Sequence, residues 1–589
     1  MVALRAFWVM RAGRSPVFSL VLRGFAGRVR LPFRTVLSCD TGTREGKPRV
    51  EGYAVDGLAA SGEPGCGQVL APELARVAAA AEAAEPGSGL VAVRVILLVR
   101  AAGRLGTLED MEVLAVEESR RIGRESLQLA LDNQALGEVR LAGVTGSDGV
   151  RRTRLEDSST SLLTVLGDVR VRRVAYRSGG KGVPALHPRD AVLNLPPGGF
   201  SWQVRKLAEM TCRSGTYHSA REIIRAATGA LIGKRQLQEM MQDCAADAEA
   251  FAQDRPVPAA PVLTGPDGQE MAAVGVASAD GKGVSMLQEA LRPRTARKAA
   301  RKGGTHARKL GSGQKNGNKR IAETGVVYDC LPPGGEPRTA AEVMRRPPGQ
   351  PARHPQALNR WYTSGIVSSC ADVIAGVFAE IDRRDPRHER QWTGLVDGNN
   401  HQIETFLAEA ARRGMDMPLL IDFIHVIEYL WKTAWCFVPA GAIPAAEAQV
   451  TDWGEAILLG KSRAVAADIQ RRAAANPPGP GSEHAKNIRK TVHYLQAKEP
   501  YLDYPTALAN GWPISTGIIE GACRHLVGDR MGVTGARWSL AGAQSVLWMR
   551  AIHASGDTGP YWDHHIRAEH QRNHLSRYHD PPAALTLAA

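Results

Sequence analysis

The chain of 589 residues is too long for one ordinary domain, because a domain holds about 100 to 200 residues. Hydrophobic residues account for 44% and charged residues for 23%, a balance that supports buried cores and excludes a chain disordered throughout. Lysine and arginine number 74 against 60 acidic residues, and the resulting net charge of +14 indicates a polyanionic partner, nucleic acid first of all.

The cysteines and the apolar stretches exclude further classes. The 8 cysteines stand singly with no C-x-x-C pair, which argues against a zinc ribbon and fits a reducing compartment. Apolar stretches such as 89–99 are short and interrupted by arginine, so no membrane span and no membrane partner are expected. The first residues lack the uninterrupted apolar segment of a signal peptide. We therefore expect a cytoplasmic, nucleoid-associated protein.

Changes in composition divide the chain into seven segments. They are a low-complexity or disordered N-terminal extension (1–88), a helix and β-hairpin region (89–199), a helix-turn-helix-like DNA-binding region (200–255), the first part of an α/β catalytic core (268–424), a helical insertion (425–511), the last part of the core (512–562) and a C-terminal tail (563–589).

The N-terminal half carries clear local signals. Thr107, with Glu109 and Asp110 close behind it, opens a helical pattern as an N-cap does. Alternating apolar and polar residues around Gly167 and Asp168 predict a hairpin of two short strands.

The segment 219–243 predicts two short helices joined by a glycine turn. One helix ends at Thr228–Gly229 and the next begins near Gly233, an arrangement that resembles a helix-turn-helix. Lys234, Arg235 and Gln238 on the second helix are the predicted DNA contacts. A helical hairpin with a solvated face is the alternative interpretation.

Beyond a proline-rich linker at 256–266, strands alternate with helices, which predicts a mixed sheet with helices packed on it. Asp280 and Asp397 are each expected at the end of an apolar strand, each followed by glycine. A buried strand is expected over 417–426, with Asp422 and His425 in it. Glu520 lies in a later helix, with Cys523 one turn on, which we interpret as a packing residue.

A basic tract lies between the first two strands of this core. Residues 291–320 contain no acid, and a run of one sign favours contact with a phosphate backbone over a plain solvated loop. The expected DNA contacts in this tract are Arg292, Arg294, Arg297, Lys298, Arg301, Lys302, Arg308 and Lys309.

The three acids Asp280, Asp397 and Glu520 suggest metal chemistry when taken together. Carboxylates that converge raise one another's pKa unless a cation neutralises them. Mg²⁺ is bound by one or two carboxylates plus substrate phosphates, and a pair of such ions can clamp the attacking and leaving oxygens of phosphoryl transfer. For each acid alone, an ordinary turn or cap is the simpler interpretation. His570 and His574 could share a metal, but their polar surroundings favour a solvated helix.

Several segments resemble one family. ASADGKGV, VDGNN, LLIDFIHVIEYLW, GWPISTGIIEGACRHLVGDRM and TGARWSLAGAQSVLWMRA are similar to bacterial insertion-sequence transposases of the DDE type, in particular the ISKra family, which is related to the Mutator-like elements. The resemblance runs from about Thr107 to Trp562, and its most specific block lies at 513–538.

The resemblance implies a ribonuclease-H-like catalytic core in which a helical insertion precedes the last acid. It makes Asp280, Asp397 and Glu520 the catalytic and metal-binding triad, with Asp422 and His425 as an auxiliary D-x-x-H pair. It also implies two Mg²⁺ ions (Mn²⁺ could substitute), element ends and target DNA as partners, and a homo-oligomer that pairs two ends. A structure-specific nuclease of the same fold and a non-catalytic DNA-binding regulator are the alternatives.

Overall fold

The computed structural model describes residues 67–180, 182–264, 268–301, 318–332, 338–346, 349 and 353–579. The chain divides between Leu74 and Ala75 into two compact units, and the elements after the first helix belong to the second unit. Most of the expected N-terminal extension lies outside the described residues, as do three expected DNA contacts, Lys302, Arg308 and Lys309.

The N-terminal region confirms the predicted helix and hairpin. Thr107 caps its helix through its hydroxyl, which accepts the Asp110 N–H at 3.2 Å. The hairpin forms as predicted, but its turn is at Val165 and Leu166, so that Gly167 and Asp168 already begin the second strand, and each strand has 11 residues and is longer than expected. The elements are α1 (Gly67–Ala84), α2 (Gly89–Ala102), α3 (Leu108–Leu136), the two-residue pair β1 (Val144–Thr145) and β2 (Arg151–Arg152), and the hairpin strands β3 (Arg154–Thr164) and β4 (Gly167–Arg177).

A group of helices follows and contains the predicted helix pair. The first helix of this pair is capped at its C-terminal end by Gly229, whose φ of 74° is the left-handed conformation that glycine adopts at low cost. The second helix of the pair begins after Gly233. The elements are α4 (Pro188–Val192), α5 (Trp202–Ser214), α6 (Tyr217–Thr228), α7 (Lys234–Cys244), α8 (Ala248–Asp254) and, in the proline-rich linker and just after it, the small antiparallel pair β5 (Val262–Thr264) and β6 (Glu270–Ala272).

A mixed five-stranded sheet forms the centre of the second unit, in the order β11-β10-β7-β8-β9. The pairs β7–β8 and β8–β9 are antiparallel, whereas β10 runs parallel to both of its neighbours. The strands are β7 (Val274–Ser285), β8 (Lys319–Leu331), β9 (Gln356–Gly365), β10 (Trp392–Val396) and β11 (Leu419–Ile421). With helices between and around these strands, the predicted α/β class is confirmed.

Two strand boundaries differ from the prediction. Asp280 lies inside β7 and not at its end, because β7 stays paired with β8 from Val274 to Ser285, and the Asp-Gly step is held in the ladder. The strand expected over 417–426 ends at Ile421. Asp422 follows it as the N-cap of a helix, since its side chain accepts the Ile424 N–H at 3.0 Å.

The remaining helices surround the sheet. The stretch after β11 is helical as expected, and its proline-rich break falls between α15 and α16. The helices are α9 (Pro293–Arg301), α10 (Ala340–Met344), α11 (Cys370–Arg384), α12 (Asn400–Arg413), α13 (Phe423–Ala434), α14 (Ile443–Leu458), α15 (Ser462–Ala475), α16 (Glu483–Ala497), α17 (Tyr504–Ala509), α18 (Gly517–Ala522), a π-helical turn (Cys523–Gly528), α19 (Asp529–Met531), α20 (Leu540–Ala554) and α21 (Thr558–Asn573).

The C-terminal segment is more buried than its polar sequence suggests. Helix α21 continues through the boundary expected at 562, and His570 on it and His574 directly after it are 4% and 8% exposed. Their Nε2 atoms donate to the carbonyls of Ala191 and Leu195 at 3.0 and 2.9 Å. The prediction of a solvated helix is therefore wrong. The two imidazoles instead connect the end of α21 to the region around α4 through these hydrogen bonds. No helix within the described ranges is both long enough and apolar enough to cross a membrane.

Candidate active site

Three aspartates stand in a row across three neighbouring parallel strands. Leu395 of β10 pairs with Ser278 of β7, so Asp397 and Asp280, each two residues further on, reach the same level. Val396 pairs with Ile421 of β11, which brings Asp397 level with Asp422 as well. Parallel strands lie about 4.8 Å apart, and side chains at equal level point to the same face. Asp280, Asp397 and Asp422 therefore share one face of the sheet.

The helical segment that carries Glu520 lies over this row. At one end, the Thr516 hydroxyl lies 2.7 Å from Asp422 Oδ2 and 3.0 Å from Glu520 Oε1. At the other end, the Cys523 thiol contacts the Asp280 carboxylate, and burial raises the pKa of this thiol. Because the segment reaches from β11 to β7, it passes Asp397, which lies between them. The three predicted acids and Asp422 are thus gathered at one site.

Asp422 is the most enclosed of these carboxylates. It is 1% exposed, and its Oδ1 accepts the Ile424 N–H. Its Oδ2 accepts the Thr516 hydroxyl at 2.7 Å and the His425 Nδ1–H at 2.9 Å. Burial raises the pKa of Asp422, but the hydrogen bonds from His425, Thr516 and Ile424 outweigh it and leave the pKa below its ordinary value. Asp422 is therefore an ionised group with both oxygens engaged.

His425 lies between two of the carboxylates. Its hydrogen bond to Asp422 is the largest of the effects that raise its pKa to about 9, against the opposing effect of its burial, and the charges of Asp397 and Glu520 add to the rise. Its Nδ1 also lies 3.9 Å from Glu520 Oε1. A pKa of about 9 leaves His425 positively charged at neutral pH.

The side chains of the row differ in how closely they meet. Asp422, His425 and Glu520 each offer a ligand atom within 4.8 Å of the others, the spacing that a shared metal ion needs. The second such group among the described residues is Asp247, His565 and Glu569, so neither group includes Asp280 or Asp397. Asp280, Asp397 and Glu520 are all partly or fully exposed. Asp280 and Asp397 share one face of the sheet, with Glu520 on the helical segment over it, but the three do not form one of these close groups.

The sequence reasoning missed Glu323 on β8, which pairs with Gly281 and therefore leaves the sheet on the face opposite the row, while staying close enough to Asp280 for their charges to interact. Burial is the largest effect that raises its pKa, and the Asp280 charge adds to it, while Arg292 and His401 oppose both. A Cβ atom on Gly281 would lie 2.7 Å from Glu323 Oε2, so this carboxylate covers the Gly281 backbone. Glu323 is one of two acids in the mostly apolar stretch 321–330, and only the pairing of β7 with β8, which sets it opposite Gly281, brings it close to Asp280.

The described part of the basic tract begins close to these acids. Arg292, Arg294 and Arg297 are exposed, and the charge of Arg292 acts on Glu323 and on Asp372. Lys298 and Arg301 belong to helix α9, as Arg294 and Arg297 do.

The predicted helix pair presents a polar face to solvent. Lys234, Arg235 and Gln238 on α7 are all exposed, whereas Leu237 and Met241 on the same helix are buried. Arg235 is partly neutralised, since its Nε lies 2.9 Å from Glu239 Oε1.

No protein-family model matches the chain, and no curated protein matches it either.

Proposed function

We propose that the protein is a DDE transposase that cleaves the ends of an insertion sequence and joins the free 3′-hydroxyls to target DNA. The observation that carries the proposal is the row of Asp280, Asp397 and Asp422 on adjacent strands, with Glu520 above it. A ribonuclease-H-like core with a helical insertion is the finer fold proposed for the α/β unit. In such a sheet the second acid follows the strand next to the first acid and precedes a helix, as Asp397 does here.

The donor set fits magnesium. Asp280, Asp397 and Glu520 offer exposed or half-exposed carboxylate oxygens, the hard ligands that Mg²⁺ prefers, and no histidine or thiol is needed to complete the set. Glu323 adds a fourth acid whose pKa is raised by burial and by the Asp280 charge, so the site gains from a cation. Two bound Mg²⁺ ions, which Mn²⁺ could replace, would supply charge neutralisation for the attacking and leaving oxygens of phosphoryl transfer.

The side chains around the row then have separate tasks. Asp280, Asp397 and Glu520 would hold the ions. Asp422 is assigned no metal in this scheme; it is buried and accepts three hydrogen bonds, through which it holds His425 and Thr516 in place. Thr516 in turn lies within hydrogen-bonding distance of Glu520. Asp422 therefore helps to fix the position of Glu520 through Thr516.

Two positively charged surfaces would bind the DNA. The tract that starts at Arg292 adjoins the acids and would follow the phosphate backbone near the reacting bond. Helix α7 would enter a groove, where Gln238 can contact a base edge and Lys234 a phosphate. The partners are then the element ends and the target DNA, and a homo-oligomer would hold two ends together in the cytoplasm, near the nucleoid.

The test is a cleavage and strand-transfer assay with labelled DNA carrying the repeats that flank the coding region. We expect Mg²⁺-dependent nicking and joining by the native protein, and no detectable product from Asp280→Asn or Glu520→Gln while DNA binding persists. Asp416→Asn is the matched control, because Asp416 is exposed and precedes β11 at the opposite end of the strand.

The alternatives correspond to different results of the same assay. Nicking without joining would indicate a nuclease, and DNA binding without either reaction would indicate a regulator. Full Mg²⁺-dependent activity in Asp280→Asn would contradict the proposed triad.

A further inference from the structure

One arginine ties the segment after Glu520 to the end of a helix in the proposed DNA-binding region. Arg550 on α20 donates from Nε to the Leu526 carbonyl at 2.8 Å and from its two terminal nitrogens to the carbonyls of His525 and Arg213. His525 and Leu526 belong to the π-helical turn, and Arg213 lies in the last turn of α5. A single guanidinium thus holds two separate parts of the chain.

A second arginine makes a parallel connection. Arg530 on α19 is 3% exposed and donates to the Cys212 carbonyl, also in the last turn of α5, at 2.9 Å. Its guanidinium lies 4.7 Å from the ring centre of Trp538 and 5.3 Å from that of Tyr217, the first residue of α6. Trp538 is itself bonded to the Ser285 carbonyl at the end of β7 through its backbone N–H.

The carbonyls that these arginines meet need partners. The last turn of a helix leaves its C=O groups without intrahelical donors, and a π-helical turn disturbs the usual ladder in the same way. The guanidinium of Arg550 donates to carbonyls of the π-helical turn and of the last turn of α5 at the same time. Burial is the main effect that lowers its pKa to about 10, and at this pKa the group is still charged at neutral pH. The geometry of the π-helical turn therefore depends on where α5 ends.

This turn sets the direction of the candidate catalytic helix. Cys523, which contacts Asp280, is its first residue, and Glu520 lies one helical turn earlier. On the other side, α5 leads through Gly215 and Thr216 directly into α6, the first helix of the pair α6–α7. A shift of that pair would move the C-terminal end of α5 and, through Arg550, the π-helical turn.

We infer that Arg550 is a positioning residue that couples DNA binding by the helix pair α6–α7 to the placement of Glu520. The inference rests on the proposed function for the identity of the reaction, but the contacts themselves are independent of it. Arg550 touches neither the acids nor any DNA contact named above; it acts only through the two backbone segments that it joins.

The experiment compares Arg550→Met, Arg550→Lys and a control, Arg567→Met, on the full-length protein. Arg567 is exposed on the neighbouring helix α21. In single-turnover assays with repeat DNA, we expect Arg550→Met to lose at least tenfold in the cleavage rate while its Kd for DNA stays within about threefold. Arg550→Lys, which keeps the charge and one donor group, should recover part of the rate. A native rate in Arg550→Met, or an equal loss in Arg567→Met, would overturn the inference.

Amide hydrogen exchange separates this inference from the proposed function, because it needs no reaction. Without DNA, Arg550→Met should speed exchange both at 212–216 and at 523–528, whereas Arg567→Met should leave both unchanged. With DNA bound, the native protein should gain protection at 517–531 and Arg550→Met should not. Faster exchange at only one of the two segments would show that no coupling passes through Arg550, whatever reaction the protein catalyses.

Discussion

Asp397 and Asp422 stand level on two neighbouring parallel strands, but their carboxylates have opposite surroundings. Asp397 is half-exposed, and its Oδ1 accepts one backbone N–H, from Asn399 at 2.8 Å. Asp422 is 1% exposed, with both oxygens engaged by the protein. Asp397, which is more exposed and has one oxygen engaged, is therefore the more accessible of the two for a metal ion.

We expect this difference to appear as a ranking of two variants. Asp397→Asn should abolish Mg²⁺-dependent cleavage because it removes a ligand charge, whereas Asp422→Asn should lower the rate roughly 10- to 100-fold through the displacement of its neighbours. Single-turnover rates at saturating Mg²⁺ measure both, with circular dichroism to confirm that the buried Asp422 variant is folded. A complete loss of activity in Asp422→Asn, together with a partial loss in Asp397→Asn, would indicate that Asp422 and not Asp397 binds the metal.

Features encoded within a few residues were predictable from the sequence. The Thr107 cap, the existence of the hairpin near Gly167 and the end of α6 before Gly229 all depend on local backbone chemistry. The α/β class follows from strands that alternate with helices, and the candidate acids were visible as carboxylates beside apolar strands.

What the sequence could not give depends on distant partners. The extension of β7 beyond Asp280 and the place of Glu323 both follow from the pairing of β7 with β8, which no periodicity records. Asp422 looked like a strand residue because apolar residues flank it on both sides, and only the short pairing of β11 with β10 ends the strand before it. Arg550 meets the Arg213 carbonyl across 337 positions of sequence.

The basic tract allows a second prediction. Replacing Arg292, Arg294 and Arg297 by glutamine should weaken duplex DNA binding and lower the salt dependence of log K by about 0.9 for each phosphate that is no longer neutralised. Arg387, Arg412 and Arg471 form a control set, since each is exposed and paired with a neighbouring acid. DNA titrations at several salt concentrations compare the two sets of variants. An unchanged slope in the first set would show that the tract is a solvated segment without phosphate contacts.

A third prediction concerns Glu323. Its charge acts on Asp280, so Glu323→Gln should raise the Mg²⁺ concentration needed for half-maximal cleavage and leave the maximal rate nearly intact. A unit charge at about 4 Å in water is worth about 1 kcal/mol, which corresponds to about fivefold in affinity. Glu404→Gln, on the exposed side of α12, is the control. If both variants follow the native Mg²⁺ curve, Glu323 has no part in cation binding.

The last prediction tests the packing of helix α11 against strand β8, on the sheet face opposite Asp280. The sheet face opposite Asp280 is covered by α11, which lies so close to β8 that a Cβ atom on Gly325 would come within 2.5 Å of Val377 and 3.1 Å of Val373. Gly376, on α11 itself, has no atom within 4 Å of the same position. One added methyl group should therefore have opposite effects at these two glycines.

Gly325→Ala should destabilise the protein by about 1 to 3 kcal/mol, because α11 must move away from the strand to make room. Gly376→Ala should stabilise it by up to about 1 kcal/mol, since alanine is the better helix former and nothing obstructs it. Urea denaturation followed by circular dichroism measures both. If Gly325→Ala proves as stable as the native protein, the close approach of α11 to β8 is wrong, and with it the support that this helix gives to the strand beside Asp280.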